Sequence, residues 1–338
     1  FPAKLTRVLC ERARHFNYAL DRGVVVLPCE LIDDNGTRLK RLVRELALRW
    51  KLESAFTEWL DAAVPFCNTL VDRIVPGEPA QEVKSDTWQR LGYQDDLLTV
   101  AEPYRLFAIE ADDHVAARLR FADADPAVVI THDIAPYRLR KVRLLNGAHT
   151  IMVPLALLAG CKTVADAVND ARVGTFLRRV LLQELVPSVD ADGALVFAHH
   201  VLERFANPFI RHELIDITLQ QTTKMRVRVV PSIIEYARLH GTAPGSVVFG
   251  FAAWLRFMRD AQIARVDAHA DHVRALWHRY PDACALVDAI TADIELWGTD
   301  LSAIPGMREG LCDALRLMES EGVVAALEAH LSAQGVAV

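Results

Sequence analysis

No G-x-G-x-x-G turn occurs anywhere in these 338 residues, and no two cysteines stand as C-x-x-C. No apolar run approaches the ~20 residues that a membrane-spanning helix requires. Each absence removes a class of protein. Without paired cysteines a zinc ribbon or redox dithiol is excluded. The six cysteines, at 10, 29, 67, 161, 284 and 312, read instead as scattered reduced thiols of a cytoplasmic protein. An excess of positive charge is lacking too: 38 Lys and Arg against 44 Asp and Glu leave a net charge of −6. That balance offers no general attraction to nucleic acid or to an anionic membrane, so neither is an expected partner. Metal-ligand spacing is absent as well. "HADH" (His269–His272) and the His199–His200 pair look like ligand sets only superficially, and no metal is expected.

What remains is ordinary for a soluble globular chain: 52% hydrophobic, 24% charged, and long enough for two domains. An amphipathic pattern over Leu5–Leu20 predicts a first helix. "GVVVLPCEL", Gly23–Leu31, is apolar and β-branched without alternation, which predicts a fully buried parallel strand. "IDDNGTRLKRLVRELALRW" then supplies turn residues and a helix of period 3.6 ending at Trp50. Strand, polar turn and helix form the unit of a doubly wound α/β domain. Further strand-like pieces lie at Leu70–Val75, Tyr104–Glu110 and Ala127–Thr131. From Pro136 onward the periodicity is helical, with breaks at Gly160, Pro187–Gly193, Asn207–Pro208, Gly241–Gly245 and Gly298–Pro305. The expected fold class is therefore α/β plus all-α. Residues 1–132 are the C-terminal part of a doubly wound domain, and residues 133–338 form a mainly helical domain. The chain opens at Phe1 inside an uncapped helical pattern, with the glycine-rich turn missing, so it is expected to be the later part of a longer protein.

One stretch resists a purely structural reading. In "KVRLLNGAHT", Lys141–Thr150, the residues Val142, Leu144 and Leu145 are packing residues, whereas Lys141, Asn146 and His149 are not. At about 100° per residue these three fall at roughly 0°, 140° and 80° around a helix axis, on one side. Taken alone, a lysine in "YRLRKVR" also suits a solvated face, and a mid-helix asparagine is tolerated. A buried histidine is often just a hydrogen-bonded core residue.

Taken together, "FPAKLT", "PCELIDDNG", "FCNTLVDRIVPG" and "KVRLLNGAHT" resemble, in order and spacing, the tagaturonate reductases (altronate oxidoreductases). These are polyol-specific long-chain dehydrogenases of the mannitol dehydrogenase family. The resemblance implies a metal-independent oxidoreductase that uses NAD and acts on a small sugar acid. Its K-x4-N-x2-H pattern is matched by Lys141, Asn146 and His149. Lys141 would be the general acid/base, and Asn146 and Asn35 the amides that hold the reacting oxygen. His149 would stand near the substrate hydroxyls, Asp72 in the same cleft, and Asn68 at the cofactor. The chemistry suits these types: hydride reaching a ketone leaves negative charge on oxygen, amides stabilise it, and a lysine of lowered pKa supplies the proton.

"TKMRVR" adds Lys224, Arg226 and Arg228, a candidate clamp for a carboxylate, although alternating charges also suit a solvated edge. The expected reaction interconverts a keto-hexuronate and its aldonate (tagaturonate and altronate). Fructuronate reductase and mannitol 2-dehydrogenase are the neighbouring alternatives. "FCNTLVDR" and "ELIDDNG" depart from the mannitol-type "FPNSMVDR" and "DNIQGNG", which favours the uronate branch. An inactive fragment or helical interaction module is the alternative of another class, and a monomer or weak oligomer is expected. Because a dinucleotide's pyrophosphate rests on a glycine-rich turn and the following helix N-terminus, this polypeptide alone should bind NADH poorly. Calorimetric titration checks this; micromolar binding would mean that the cofactor site is built differently.

Overall fold

The computed structural model describes residues 1–259 and 266–335. The chain divides into two compact units: Phe1–Ile74 with Glu102–Arg138, and Val75–Ala101 with Leu139–Val338. The first is α/β and the second is almost entirely helical. The segment 75–101, with its helix Gln81–Leu91, thus packs with the helical unit and not with the sheet it interrupts.

In the α/β unit, helix Pro2–His15 begins on a proline whose missing N–H costs nothing at that position. Its buried stripe Leu9, Cys10, Ala13 meets Leu39, Val43 and Ala47 of helix Asn35–Arg49 and Phe56, Trp59 and Leu60 of helix Ser54–Ala63. The first helix stops short of Leu20 because Asn17 and Tyr18 adopt left-handed backbone, φ 49° and 59°. Trp59 Nε1–H then ties the turn down by donating to the Ala19 carbonyl at 3.0 Å.

Three of the strand-like pieces become β1 (Thr69–Asp72), β2 (Leu106–Glu110) and β3 (Val128–Thr131), in the order β1-β2-β3. The sheet is mixed: β1 runs antiparallel to β2, with Thr69 opposite Ile109, and β2 runs parallel to β3, with Phe107 opposite Val128. The expected strand at Gly23–Leu31 is reduced to one parallel bridge between Val26 and Phe66. Val26 N–H donates to the Pro65 carbonyl at 2.9 Å and Cys67 N–H to the Val26 carbonyl at 3.1 Å. Pro28 and Pro65 have no N–H to extend this pairing in either direction, and Val24–Leu27 are only half-buried.

The helical unit is organised by two helices that are buried on nearly every side. Helix Gly147–Leu158 buries ten of its twelve residues and Gly245–Met258 twelve of fourteen. Gly250 lets them cross closely, since a Cβ there would lie 2.6 Å from Ile151 Cγ1 and 3.0 Å from Phe176 Cζ. Helices Ala171–Arg179, Val230–His240, Ala283–Thr291 and Met307–Glu321 contribute to the same core. The expected breaks coincide with left-handed glycines at 160, 193, 241 and 298. Glu184 is buried at the start of helix Gly245–Met258 and accepts the Ser246 and Val247 N–H groups, both at 2.8 Å. Cys284 and Cys312 face each other on two packed helices, with Cα atoms 5.0 Å apart. Helix packing thus brings together two cysteines 28 apart in sequence, whereas Cys10, Cys29, Cys67 and Cys161 have no cysteine beside them. No helix among the described residues is long and apolar enough to cross a membrane.

His330 stacks on Phe249 at 4.4 Å and sits 3.4 Å from Ser246 Oγ. Burial, reinforced by Arg179, pushes its pKa from 6.5 down to about 4. The unfolded chain therefore takes up this proton near 6.5 while the folded chain refuses it until about 4. The contribution is intact above the first value and is lost as pH falls to the second. Urea midpoints should drop across that window, and less steeply in His330→Phe. Identical acid limbs would show that the folded imidazole is already protonated.

Candidate active site

The Lys141–Asn146 stretch is not regular α-helix. It is a π-helical segment in which the Gly147 N–H reaches back five residues to the Val142 carbonyl, and it leads directly into helix Gly147–Leu158. This corrects the helical-wheel placement: residues five apart are related by one wide turn, so Lys141 and Asn146 stack more closely than in an α-helix. Gly147 permits the approach of the neighbouring chain, since a Cβ there would stand 3.4 Å from the Arg228 carbonyl oxygen. Lys141 and Asn146 are half-buried and His149 is buried. Thr150, next to His149, donates its hydroxyl to the Asn146 carbonyl at 2.7 Å.

His149 lies flat on Phe205, with ring centroids 3.8 Å apart and planes 1° from parallel, and meets the edge of His212 at 5.4 Å. Burial first, then His212, Arg228, Arg204 and Lys224, hold its pKa well below 6.5. The imidazole is therefore neutral at pH 7, and its buried Nε2 has no hydrogen-bond partner. Aromatic stacking fixes the ring while the surrounding cations keep it uncharged.

The cations come mainly from helix Gln221–Lys224 and a second π-helical stretch, Met225–Val229, which packs against Lys141–Asn146. Lys224 and Arg228 are four apart and share a face. Lys224 Nζ donates to the Ile217 carbonyl at 2.7 Å, and Arg228 Nη1 donates to Thr150 Oγ1 at 3.4 Å. Burial, with Arg228 nearby and Asp267 opposing, lowers the Lys224 pKa from 10.5 to about 8. Arg226 departs from the expected clamp. Two positions along, it points away, donating to the Glu295 carbonyl at 3.4 Å and lying against Gly298. The triplet is thus a pair plus an outlier. Gln221 Nε2 completes the group by donating to the Thr150 carbonyl at 2.6 Å.

Asn35, Asn68 and Asp72 belong to the α/β unit. Asn35 opens its helix and is 5% exposed. Its Nδ2 faces the carbonyls of Pro28, Glu30 and Thr69 and Thr69 Oγ1 at 3.0–3.2 Å, and its Oδ1 accepts from Gly36 and Thr69 N–H. Two amide hydrogens are fully committed there. These contacts staple the 28–30 loop to β1. Asp72 is the buried last residue of β1. Asn68 stands beside the carboxyl ends of β2 and β3, where nucleotides bind in doubly wound sheets. It donates to Glu110 Oε2 at 2.7 Å and accepts from Thr37 N–H at 3.0 Å. Those polar strand ends fit one end of a dinucleotide, while a phosphate-binding glycine turn does not occur in this sequence. Phe205, His212 and Arg204 were legible only as a polar–aromatic cluster around "RFANPFIRH"; Thr150 and Gln221 gave no local signal because their contact spans 71 residues.

Among the described residues no group of three or more His, Cys, Asp or Glu could hold a metal ion. A Rossmann-type α/β unit, joined in one chain to a helical unit that gathers a lysine–asparagine turn, a neutral imidazole and two half-buried cations, defines a two-domain dehydrogenase. Residues 1–123 match the Mannitol dehydrogenase Rossmann domain and residues 133–318 the Mannitol dehydrogenase C-terminal domain. The chain belongs to the mannitol dehydrogenase family. It is 42% identical to altronate oxidoreductases of Pectobacterium atrosepticum and Yersinia pestis, over 98% of this chain and 71% of each relative. Two solved structures share the fold. Pseudomonas fluorescens mannitol 2-dehydrogenase, in ternary complex with NAD and D-mannitol, gives a TM-score of 0.68 at 21% identity, covering 91% of this chain. A substrate-free D-sorbitol dehydrogenase gives 0.72 at 20%, covering 94%. The chain spans 62% and 65% of those two structures, less than two thirds of either.

The Lys224 geometry carries its own test. After reductive methylation with ¹³C, the Lys224 resonance, assigned through Lys224→Arg, should titrate near 8, below its ordinary value of 10.5. An ordinary midpoint would mean that the amine is solvated and not held in the cationic group.

Proposed function

We propose that this chain carries the substrate-handling part of an NAD-dependent oxidoreductase that interconverts a keto-hexuronate and its aldonate, tagaturonate and altronate being the pair the sequence motifs favour. The observation that carries the reading is the half-buried pair Lys224 and Arg228 beside neutral His149, on the unit that also holds Lys141 and Asn146. A neutral polyol needs no such pair, whereas a carboxylate does. The relatives at about 42% identity are named altronate oxidoreductases, which supports the acid over the neutral sugar.

In this reading the substrate's carboxylate faces Lys224 and Arg228. Neutral His149 hydrogen-bonds a hydroxyl, because an imidazole among cations exchanges hydrogen bonds without taking up a proton. Asn146 donates its amide to the reacting oxygen as negative charge grows there. Lys141 gives that oxygen its proton in reduction and removes it in oxidation. When bound, the nicotinamide supplies or accepts the hydride, and Asn68 is the residue assigned to hold its end of the cofactor. A cytoplasmic monomer or weak oligomer acting on a small molecule, with no nucleic acid or membrane partner, belongs to the same reading.

In the full-length protein, Lys141→Ala should lower turnover of the keto-hexuronate ~10²–10⁴-fold while leaving NADH affinity within a few-fold. Steady-state kinetics and fluorescence titration measure the two. Near-normal turnover would remove Lys141 from the chemistry.

A further inference from the structure

Gln221 is fully buried, and no part of the functional reading above uses its side chain. Its Nε2 donates to the Thr150 carbonyl at 2.6 Å. A carbonyl can only accept, so this contact fixes which way the amide points, and Oε1 is turned away from it. Oε1 is buried without a hydrogen-bond partner, as are Thr222 Oγ1 next to it and His149 Nε2, whose residue adjoins Thr150. A buried acceptor that meets no donor is held at the full cost of its lost hydration.

The surroundings say what such an acceptor is for. Lys224, Arg228 and Arg204 all offer N–H groups and no acceptor. A sugar acid brings a carboxylate that these cations satisfy, but also hydroxyl groups whose protons the cations cannot accept. Neutral His149 can accept at most one. We propose that Gln221 is a specificity-determining residue whose Oε1 accepts the hydrogen of one substrate hydroxyl beside His149. This rests on the sugar-acid reading of the site. The Thr150 contact holds the amide rigid, so the acceptor is aimed before the substrate arrives. Thr150 is in turn held by Arg228 and by its bond to the Asn146 carbonyl, which ties hydroxyl recognition to the turn that bears Lys141.

The test uses the full-length protein with the keto-hexuronate and a set of analogues, each lacking one hydroxyl. For the wild type, one analogue should lose roughly tenfold or more in kcat/KM, because a site built to bond a hydroxyl rejects its absence. Gln221→Met, similar in shape without the acceptor, should lower kcat/KM for the parent and abolish discrimination against that one analogue. Gln221→Glu, protonated where it faces the Thr150 carbonyl, still donates there and keeps an oxygen acceptor, so it should retain the discrimination. Unchanged discrimination in Gln221→Met, with all substrates slowed alike, would overturn the assignment and leave Gln221 a support for Thr150. Lost discrimination in Gln221→Glu would overturn it too, and that variant decides the matter if Gln221→Met does not fold. A wild type inactive on the parent acid would instead overturn the functional reading, and this assignment with it.

Discussion

Much of the helical unit's chemistry depends on one hydrogen bond, from the Gly147 N–H to the Val142 carbonyl. It closes a wide turn where an ordinary helix would close a tight one, and so sets Lys141 one turn from Asn146. The same glycine lets the Arg228 backbone come close. That approach brings a second wide turn, Met225–Val229, against the first. Wide turns are less favourable than regular helix, and they persist here because each is anchored in the core, through Leu144 and Leu145 in one and Met225 and Val229 in the other. The two crossing helices, buried on nearly every side, supply that rigidity.

Electrostatics follows from this placement. Four groups that carry or can carry positive charge surround one imidazole, and burial ensures that the imidazole, not the arginines, stays uncharged. Lys224 occupies an intermediate state with its pKa near 8, because it keeps partial contact with solvent. A group of cations this dense raises the cost of the empty fold and lowers the cost of binding an anion. That exchange is a common basis of selectivity for charged substrates. Thr150 is the mechanical centre: its hydroxyl serves Asn146 and Arg228, and its carbonyl serves Gln221.

Much was legible in the residues alone. The helical breaks, the two buried helices and the three short strands follow from period and from glycine and proline. The motif around Lys141, Asn146 and His149 falls on the π-helical turn and the helix that follows it. Elsewhere long-range packing adds contacts that no local pattern shows. Gly23–Leu31 has strand composition, but prolines on both partners stop its ladder after one bridge. Asn35 has the type and position of a functional amide, yet Thr69, 34 residues away, and the 28–30 loop claim its hydrogen bonds. Arg226 shares a charge run with Lys224 and Arg228 but lies on another face of the turn.

The sequence by itself determined the inventory and its local rhythm: which residues could be helical, where the chain must turn, and which chemical groups were available. It did so because periodicity, proline and glycine act within a few residues. Only the tertiary structure decided which groups are spent on the fold and which are left for a ligand. Hydrogen-bond partners such as Gln221 and Thr150 lie 71 residues apart, and no local pattern encodes a pairing that packing alone brings about.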